Sequence, residues 1–428
     1  MTTSRLQGVW LTRIILIAVL LLAAWIGMHG ANSDSLWVDE YWSMYHAGGA
    51  FLGTLALPDV WNRVASQDPW QAPLYYMLLN QWGALVGWSE FAARLLSLFT
   101  GMISIAATYR LGRDLFSRSV GTAAAVLLGT SAYTLYFFHE MRSYTLYLLF
   151  TPLMIWAYWR LITHKESIGA YGLLFLSIVG ALYTHYFAAL TAAAIGVFHV
   201  IALPLGGFKG RAGVWWRING LFVLALIAFL PWFAVFWAGL AEASAQSGAR
   251  GINALTPFSA VQGVLYLFSN GAVSVVLLLI GLSITRRRNR LTIIVWAWFL
   301  FVLALLLLIN ARFGVLLEVR YMFVLWIPLA LLCALGIERL YRDHPKWAAI
   351  ALGVWMIGGV WASFDPSARV SLSNPHWHLP WRELRAELEP RAVDGDAALF
   401  LLPDWTWAVY HTDTQGYYLH GLPVRAAL

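Results

Sequence analysis

Two carboxylates, Asp39 and Glu40, stand side by side among Trp37, Tyr41, Trp42 and Tyr45, directly after a long apolar run. A carboxylate stripped of part of its water serves as a general base near neutral pH. Its oxygens also suit a hard divalent cation. The same pair reads equally well as a solvated acid couple flanking a turn. Three other stretches carry side chains able to do chemistry: "FFHEMRSY" (137–144) with Glu140 and Arg142, "THYF" (184–187) with His185, and "LEVRYMF" (317–323) with Glu318, Arg320 and Tyr321. Arginine offers planar, paired donors that match a phosphate. Glu140 and Arg142 also make sense as a local ion pair closing a short turn, and His185 as an interfacial histidine at a helix end. No His or Cys spacing suits zinc. No glycine-rich loop of the nucleotide-binding kinds is present, so ATP-driven chemistry has no visible site.

The elements that must position these groups are membrane spans. The 428 residues are 60% hydrophobic and only 11% charged, against about 45–50% and about 25% in soluble domains. Apolar runs near 20 residues recur, long enough to cross about 30 Å of hydrocarbon. They are continuous rather than alternating, which excludes a membrane β-barrel. The 24 Trp and 19 Tyr suit the two membrane interfaces. A single cysteine, Cys333, forbids an intrachain disulfide. The first apolar run reads as a retained anchor.

Eleven spans are expected, near 10–29, 91–110, 119–138, 143–162, 168–185, 187–204, 216–236, 258–284, 291–309, 321–338 and 347–364. With the N-terminus in the cytoplasm, the cytoplasmic segments hold 17 of the 28 Lys and Arg but only four of the 21 acids. That asymmetry is the positive-inside bias. The basic run 286–290 is then a topology anchor rather than a nucleic-acid patch, and no nucleic-acid partner is expected. The segment 72–90 is apolar but short and polar-spotted. Counting it as a span would put Arg110, Arg113 and Arg118 outside, so it is expected to lie along the outer interface. Residues 1–364 thus form a membrane domain with a first outer loop over 30–90. Residues 365–428 form an outer segment, with a helix in "WRELRAELEP" and a strand in "AALFLL". Asp39-Glu40, Glu140, Arg142, His185, Glu318 and Arg320 all fall at the outer ends of spans. Positive charge there runs against the topology bias, which singles out Arg320.

This arrangement resembles the GT-C superfamily of membrane glycosyltransferases, most of all the bacterial family-39-like branch related to protein O-mannosyltransferases and lipid A aminoarabinose transferases. The resemblance covers nearly the whole chain. The family's acidic pair after span one corresponds to Asp39-Glu40. Its "HPPLYY…SEFALRLPS" stretch appears as "QAPLYYMLLNQWGALVGWSEFAARLLS", keeping Tyr75 and Tyr76 but with Gln71 and Ala72 in place of His-Pro. "YRLGRDLF" (109–116), "HEMRSYTLY" (139–147) and "RYMFVLWIP" (320–328) match further motifs, and 380–400 is similar to the start of the family's outer domain.

The resemblance implies an inverting enzyme of the bacterial inner membrane, part of cell-envelope chemistry, with its active site and C-terminus outside. It would move a hexosyl or pentosyl group from a polyprenyl-phosphate donor to a lipid, glycan or protein acceptor. Asp39 would take the acceptor proton. Glu40 would orient the acceptor or hold Mg or Mn together with Asp39. Arg320, Arg142 and Tyr321 would hold the donor phosphate. Glu140, His185, Tyr75, Tyr76 and Glu318 would support them. A transporter and a non-catalytic scaffold subunit of a membrane complex are the competing readings.

Overall fold

A computed structural model describes residues 3–49, 53–163, 166–205, 212–246, 254–284, 290–365, 380–394, 396–399 and 416–427. Part of the basic run 286–290, the linker 366–379 and the end of "AALFLL" fall outside them.

The chain is helical almost throughout. In order come α1 Thr3–Ser33, α2 Val38–Ala47, α3 Leu57–Gln67, α4 Leu74–Val86, α5 Glu90–Leu115, α6 Arg118–Gly129, α7 Ala132–Tyr136, α8 Tyr144–Thr163 and α9 Ile168–Thr184. A 3-10 turn leads into α10 Ala189–Val197, then a π-helical stretch and the short α11 Leu203–Leu205. There follow α12 Ala212–Gln246, α13 Pro257–Phe268, α14 Val273–Ile284, α15 Arg290–Phe313, the 3-10 turn Val319–Leu325, α16 Trp326–Asp343, α17 Pro345–Phe364 and α18 Trp381–Leu388. Two short strands, β1 Asp396–Leu399 and β2 Val424–Ala427, pair in parallel.

Among the described residues, seven helices are long and apolar enough to cross a membrane, or up to eight with the bent pair α13–α14. Three other expected spans correspond to shorter apolar helices, at Arg118–Gly129, Ile168–Thr184 and Tyr186–Ala202. The span Val319–Asp343 is the hub, with 94% of its apolar window buried, against 22% near the N-terminus and 17% in α12. The peripheral helices expose Ile14, Leu21, Leu226 and Leu230. Such rows are stable only against an apolar solvent, which identifies their outer faces as lipid-facing.

Two expected spans are not single rods. The 119–138 run breaks at Thr130–Ser131, and the 258–284 run bends by 95° around Ser269–Ala272. The two breaks complete each other. Asn270, in the left-handed region at φ 52°, accepts from Ala132 N (2.8 Å) and donates to the Thr130 and Trp355 carbonyls. A helix broken inside a membrane protein must find partners for its freed backbone groups, and one side chain supplies several of them. Thr130 O lies where a Cβ on Gly359 would sit, 1.7 Å away, so α17 closes on the break only because residue 359 is glycine.

The expected outer loop contains α2, α3 and α4. Asn80 on α4 donates to the Ala47 and Leu55 carbonyls and fastens these helices together. The C-terminal segment is latched to the same end. Glu90 receives Arg382 and the Tyr418 hydroxyl, while Leu36 N donates to that hydroxyl at 2.7 Å.

Candidate functional site

The site forms where α1, α8 and α9 meet α2, the start of α5 and the 3-10 turn before α16. The charged side chains near the opposite helix ends are mainly basic: Arg110, Arg113, Arg160, Arg339 and Arg342.

Helix α2 begins after extended Trp37, carries Asp39 and Glu40 in its first turn, and ends at left-handed Gly48, φ 72°. Acids in a first helical turn meet the positive end of the helix dipole. Neighbours on a helix point about 100° apart, so the two carboxylates serve different partners. Glu40 turns inward and is fully buried. Its oxygens accept from Arg94 Nε (2.8 Å) and Nη2 (2.6 Å), and from Met141 N (2.9 Å). Arg94 also donates to the carbonyls of Ala31, Asp34 and Ser35. This pair staples the end of α1 and the start of α2 to α5 and to the 139–143 loop.

Asp39 turns toward two arginines and is 25% exposed. Its Oδ2 is 3.5 Å from Arg142 Nη2 and 3.5 Å from Arg320 Nη2. Arg142 Nη1 donates to Asp39 O and to Ser43 Oγ. Burial opposes charge on Arg142, but Asp39 with Tyr76 and Tyr144 more than compensates, and the Arg142 pKa lies above the usual arginine value. Arg320 lies near the rings of Trp37, Tyr144 and Tyr321, at 5.4–5.9 Å from their centroids. Glu318 pairs with it at 3.1 Å.

Of the other expected residues, Glu140 is buried and accepts from Trp37 Nε1 rather than pairing with Arg142. Tyr75 OH bonds Ser97 Oγ, which donates to Arg142 O, so Tyr75 steadies the loop from behind. Tyr76 packs edge-on against His46, itself bonded to Asp68. His185 stacks flat on Tyr147, 4.8 Å between centroids. Tyr147 was not anticipated. Its hydroxyl receives Val324 N and donates to Tyr321 O, which pins the turn that presents Arg320. Arg94 was not anticipated either. A charge inside the expected 91–110 span was its signal, since ionisable residues at membrane depth need a reason to be there.

Beside the arginine pair opens a cavity of about 520 Å³. Tyr144, His185 and Tyr321 form its wall toward the arginines, and most of the rest is apolar, including Leu190, Phe236 and Ile309. Gln71 and Ala72 line it too. The Tyr186 hydroxyl lies within hydrogen-bonding distance of the Pro69 and Gln71 carbonyls and donates to one of them. Gly239 lets α12 approach this segment, because a Cβ there would lie 2.2 Å from Pro69 O.

A divalent cation does not fit the acid pair. Glu40 is consumed by Arg94 and the Met141 amide, and Asp39 already faces two guanidinium groups. Among the described residues, no group of three His, Cys, Asp or Glu converges on a common point.

The helical arrangement is the GT-C fold. The chain aligns with ArnT from Cupriavidus metallidurans, solved bound to undecaprenyl phosphate, with a TM-score of 0.58 at 12% identity, over 96% of this chain and 85% of that one. It aligns with the archaeal oligosaccharyltransferase AglB from Archaeoglobus fulgidus, solved with an inhibitory peptide and a dolichol-phosphate, with a TM-score of 0.58 at 13% identity. That match takes in 90% of this chain but 59% of the longer AglB chain. Residues 70–237 match the family described as dolichyl-phosphate-mannose-protein mannosyltransferase. No curated protein matches the chain by sequence. The expected resemblance to protein O-mannosyltransferases and aminoarabinose transferases therefore holds at the level of the fold, with a family match over residues 70–237.

Proposed function

We propose that the protein is an inverting glycosyltransferase that takes a hexosyl or pentosyl group from a polyprenyl-phosphate donor and passes it to an acceptor at the outer face of a bacterial inner membrane. One observation carries this reading: the Arg142–Asp39–Arg320 cluster stands beside an apolar cavity whose lining includes Tyr144, His185 and Tyr321. An anionic head on a long hydrocarbon tail needs that pairing of a cationic site with an apolar groove. The fold neighbours solved with undecaprenyl phosphate and with dolichol-phosphate support the same class of donor.

In this reading the isoprenyl chain lies in the cavity and its phosphate meets Arg142 and Arg320. Asp39, between the two arginines, accepts the proton of the acceptor hydroxyl as that oxygen attacks the anomeric carbon. Charge grows on the leaving phosphate, and fixed cations stabilise it most where water is excluded. Glu40, Glu140 and Tyr75 are positioning residues that hold α2 and the 139–143 loop in register. The basic opposite ends of the helices support placing the site outside, by the positive-inside bias.

The competing transporter reading draws on the broken helices, since transporters build ion sites at such breaks. Here the break is closed by uncharged Asn270, Thr130 and Trp355, which favours a structural seal. The test is a structure determined with undecaprenyl phosphate. The phosphate is expected in contact with Arg142 and Arg320. A phosphate found elsewhere, or a cavity that collapses onto its own side chains, would remove the proposal.

A further inference from the structure

We infer that Arg142 and Arg320 are shared in alternation between Asp39 and the donor phosphate, so that Asp39 competes with the phosphate before transfer and releases both arginines on taking the acceptor's proton. The inference rests on the reading above and adds a role that the base function alone does not require.

The geometry carries it. Both arginines reach the same oxygen, Asp39 Oδ2, each from 3.5 Å, longer than the roughly 2.7–2.9 Å of a charge-assisted hydrogen bond. Both are held in place by other groups. Arg142 is fixed through Nη1 by Asp39 O and Ser43 Oγ. Arg320 is framed by Trp37, Tyr144 and Tyr321. The Nε of Arg142 is buried without a hydrogen-bond partner, a donor in reserve. The two arginine side chains are 94% and 92% buried, while the Asp39 side chain between them is a quarter exposed. The carboxylate is the partner free to turn away.

Charge gives the alternation its direction. Arg142, Arg320, Asp39 and Glu318 sum to zero, so a donor phosphodiester brings uncompensated negative charge. During transfer the acceptor oxygen bonds to the anomeric carbon. The bond from that carbon to the phosphate oxygen breaks, and its electron pair stays on the phosphate. The acceptor's proton passes to an Asp39 oxygen. Asp39 thereby loses its claim on the arginines in the same step that the phosphate gains charge. The proton later returns to water and the restored carboxylate helps to expel polyprenyl phosphate.

The experiment measures undecaprenyl phosphate binding to the full chain in nanodiscs for the wild type, Asp39→Asn, Arg142→Ala and Arg320→Ala. Asp39→Asn is expected to bind about tenfold tighter or more, equivalent to about 1.4 kcal/mol, while either arginine variant binds at least tenfold more weakly. Unchanged or weaker binding in Asp39→Asn, with the arginine variants impaired, overturns the sharing and leaves the functional reading standing. Arginine variants that bind like wild type overturn both. Asp39→Ser serves as the second test should the Asn variant fail to fold, with the same expected tightening.

Discussion

Replacing Glu40 by Gln removes one charge from the fully buried Arg94–Glu40 pair and leaves the Arg94 guanidinium buried. Breaking such a pair from one side costs about 3–5 kcal/mol, because an uncompensated charge stays behind. Two features of this site pull the figure toward the lower end. Arg94 keeps three backbone carbonyls as acceptors, and the Gln carbonyl still accepts from Met141 N. The expected loss is therefore about 3 kcal/mol, read as unfolding free energy by dodecyl sulfate titration in mixed micelles. A double-mutant cycle with Arg94→Met isolates the pair, and a coupling of about 1–3 kcal/mol is expected for groups sharing one buried network. Asp39→Asn leaves every bond of this staple in place, so it should leave the Arg94–Glu40 coupling unchanged. If Glu40→Gln unfolds like wild type yet no longer transfers sugar, Glu40 is a reacting group and the structural assignment of this carboxylate is wrong.

Three other expectations follow from single contacts. Gly239→Val forces α12 away from Pro69 O at about 1–3 kcal/mol of overpacking; it should weaken binding of undecaprenyl phosphate but spare a short isoprenyl phosphate, and equal losses for both would remove the cavity as the tail site. Tyr418→Phe deletes the donor to Glu90 and orphans Leu36 N, an effect of about 1–3 kcal/mol; limited proteolysis of the C-terminal segment should quicken, and an unchanged cleavage rate would show that these bonds do not hold it. Ser66→Cys places a thiol on an exposed face of α3 while the native Cys333 is buried; an impermeant maleimide should label it from outside intact cells, and labelling from the cytoplasmic side alone would reverse the orientation.

The residue types announced most of the charged site. Arg320 stood out because a cation at an outer span end defies the topology bias, and the structure sets it beside Asp39, which the topology had put at the same face. Asp39 and Glu40 were expected to work at one site, Asp39 as base and Glu40 orienting the acceptor or sharing a cation, and they do not share it. The helix turn sends one to the arginines at the cavity and the other into a staple with Arg94, and adjacency in a chain carries no record of which partner each will face. The Gln71-Ala72 departure from His-Pro likewise gained meaning only when both residues appeared on the cavity wall.

Hydropathy and charge alone determined that this is a helical membrane protein, where most of its apolar helices begin and end, and which helix ends are basic, because those properties are sums over one short window of chain. The breaks were different. An Asn-Gly pair inside an apolar run is a turn signal, and "SNGA" at 269–272 was there to be read, yet nothing nearby says what a bent helix would do with its unpaired backbone. Its partners, Thr130, Ala132 and Trp355, lie about a hundred residues away in either direction along the chain. Only the packed fold brings them within hydrogen-bonding distance, and only there do a kink in one helix and a gap in another become a single satisfied joint.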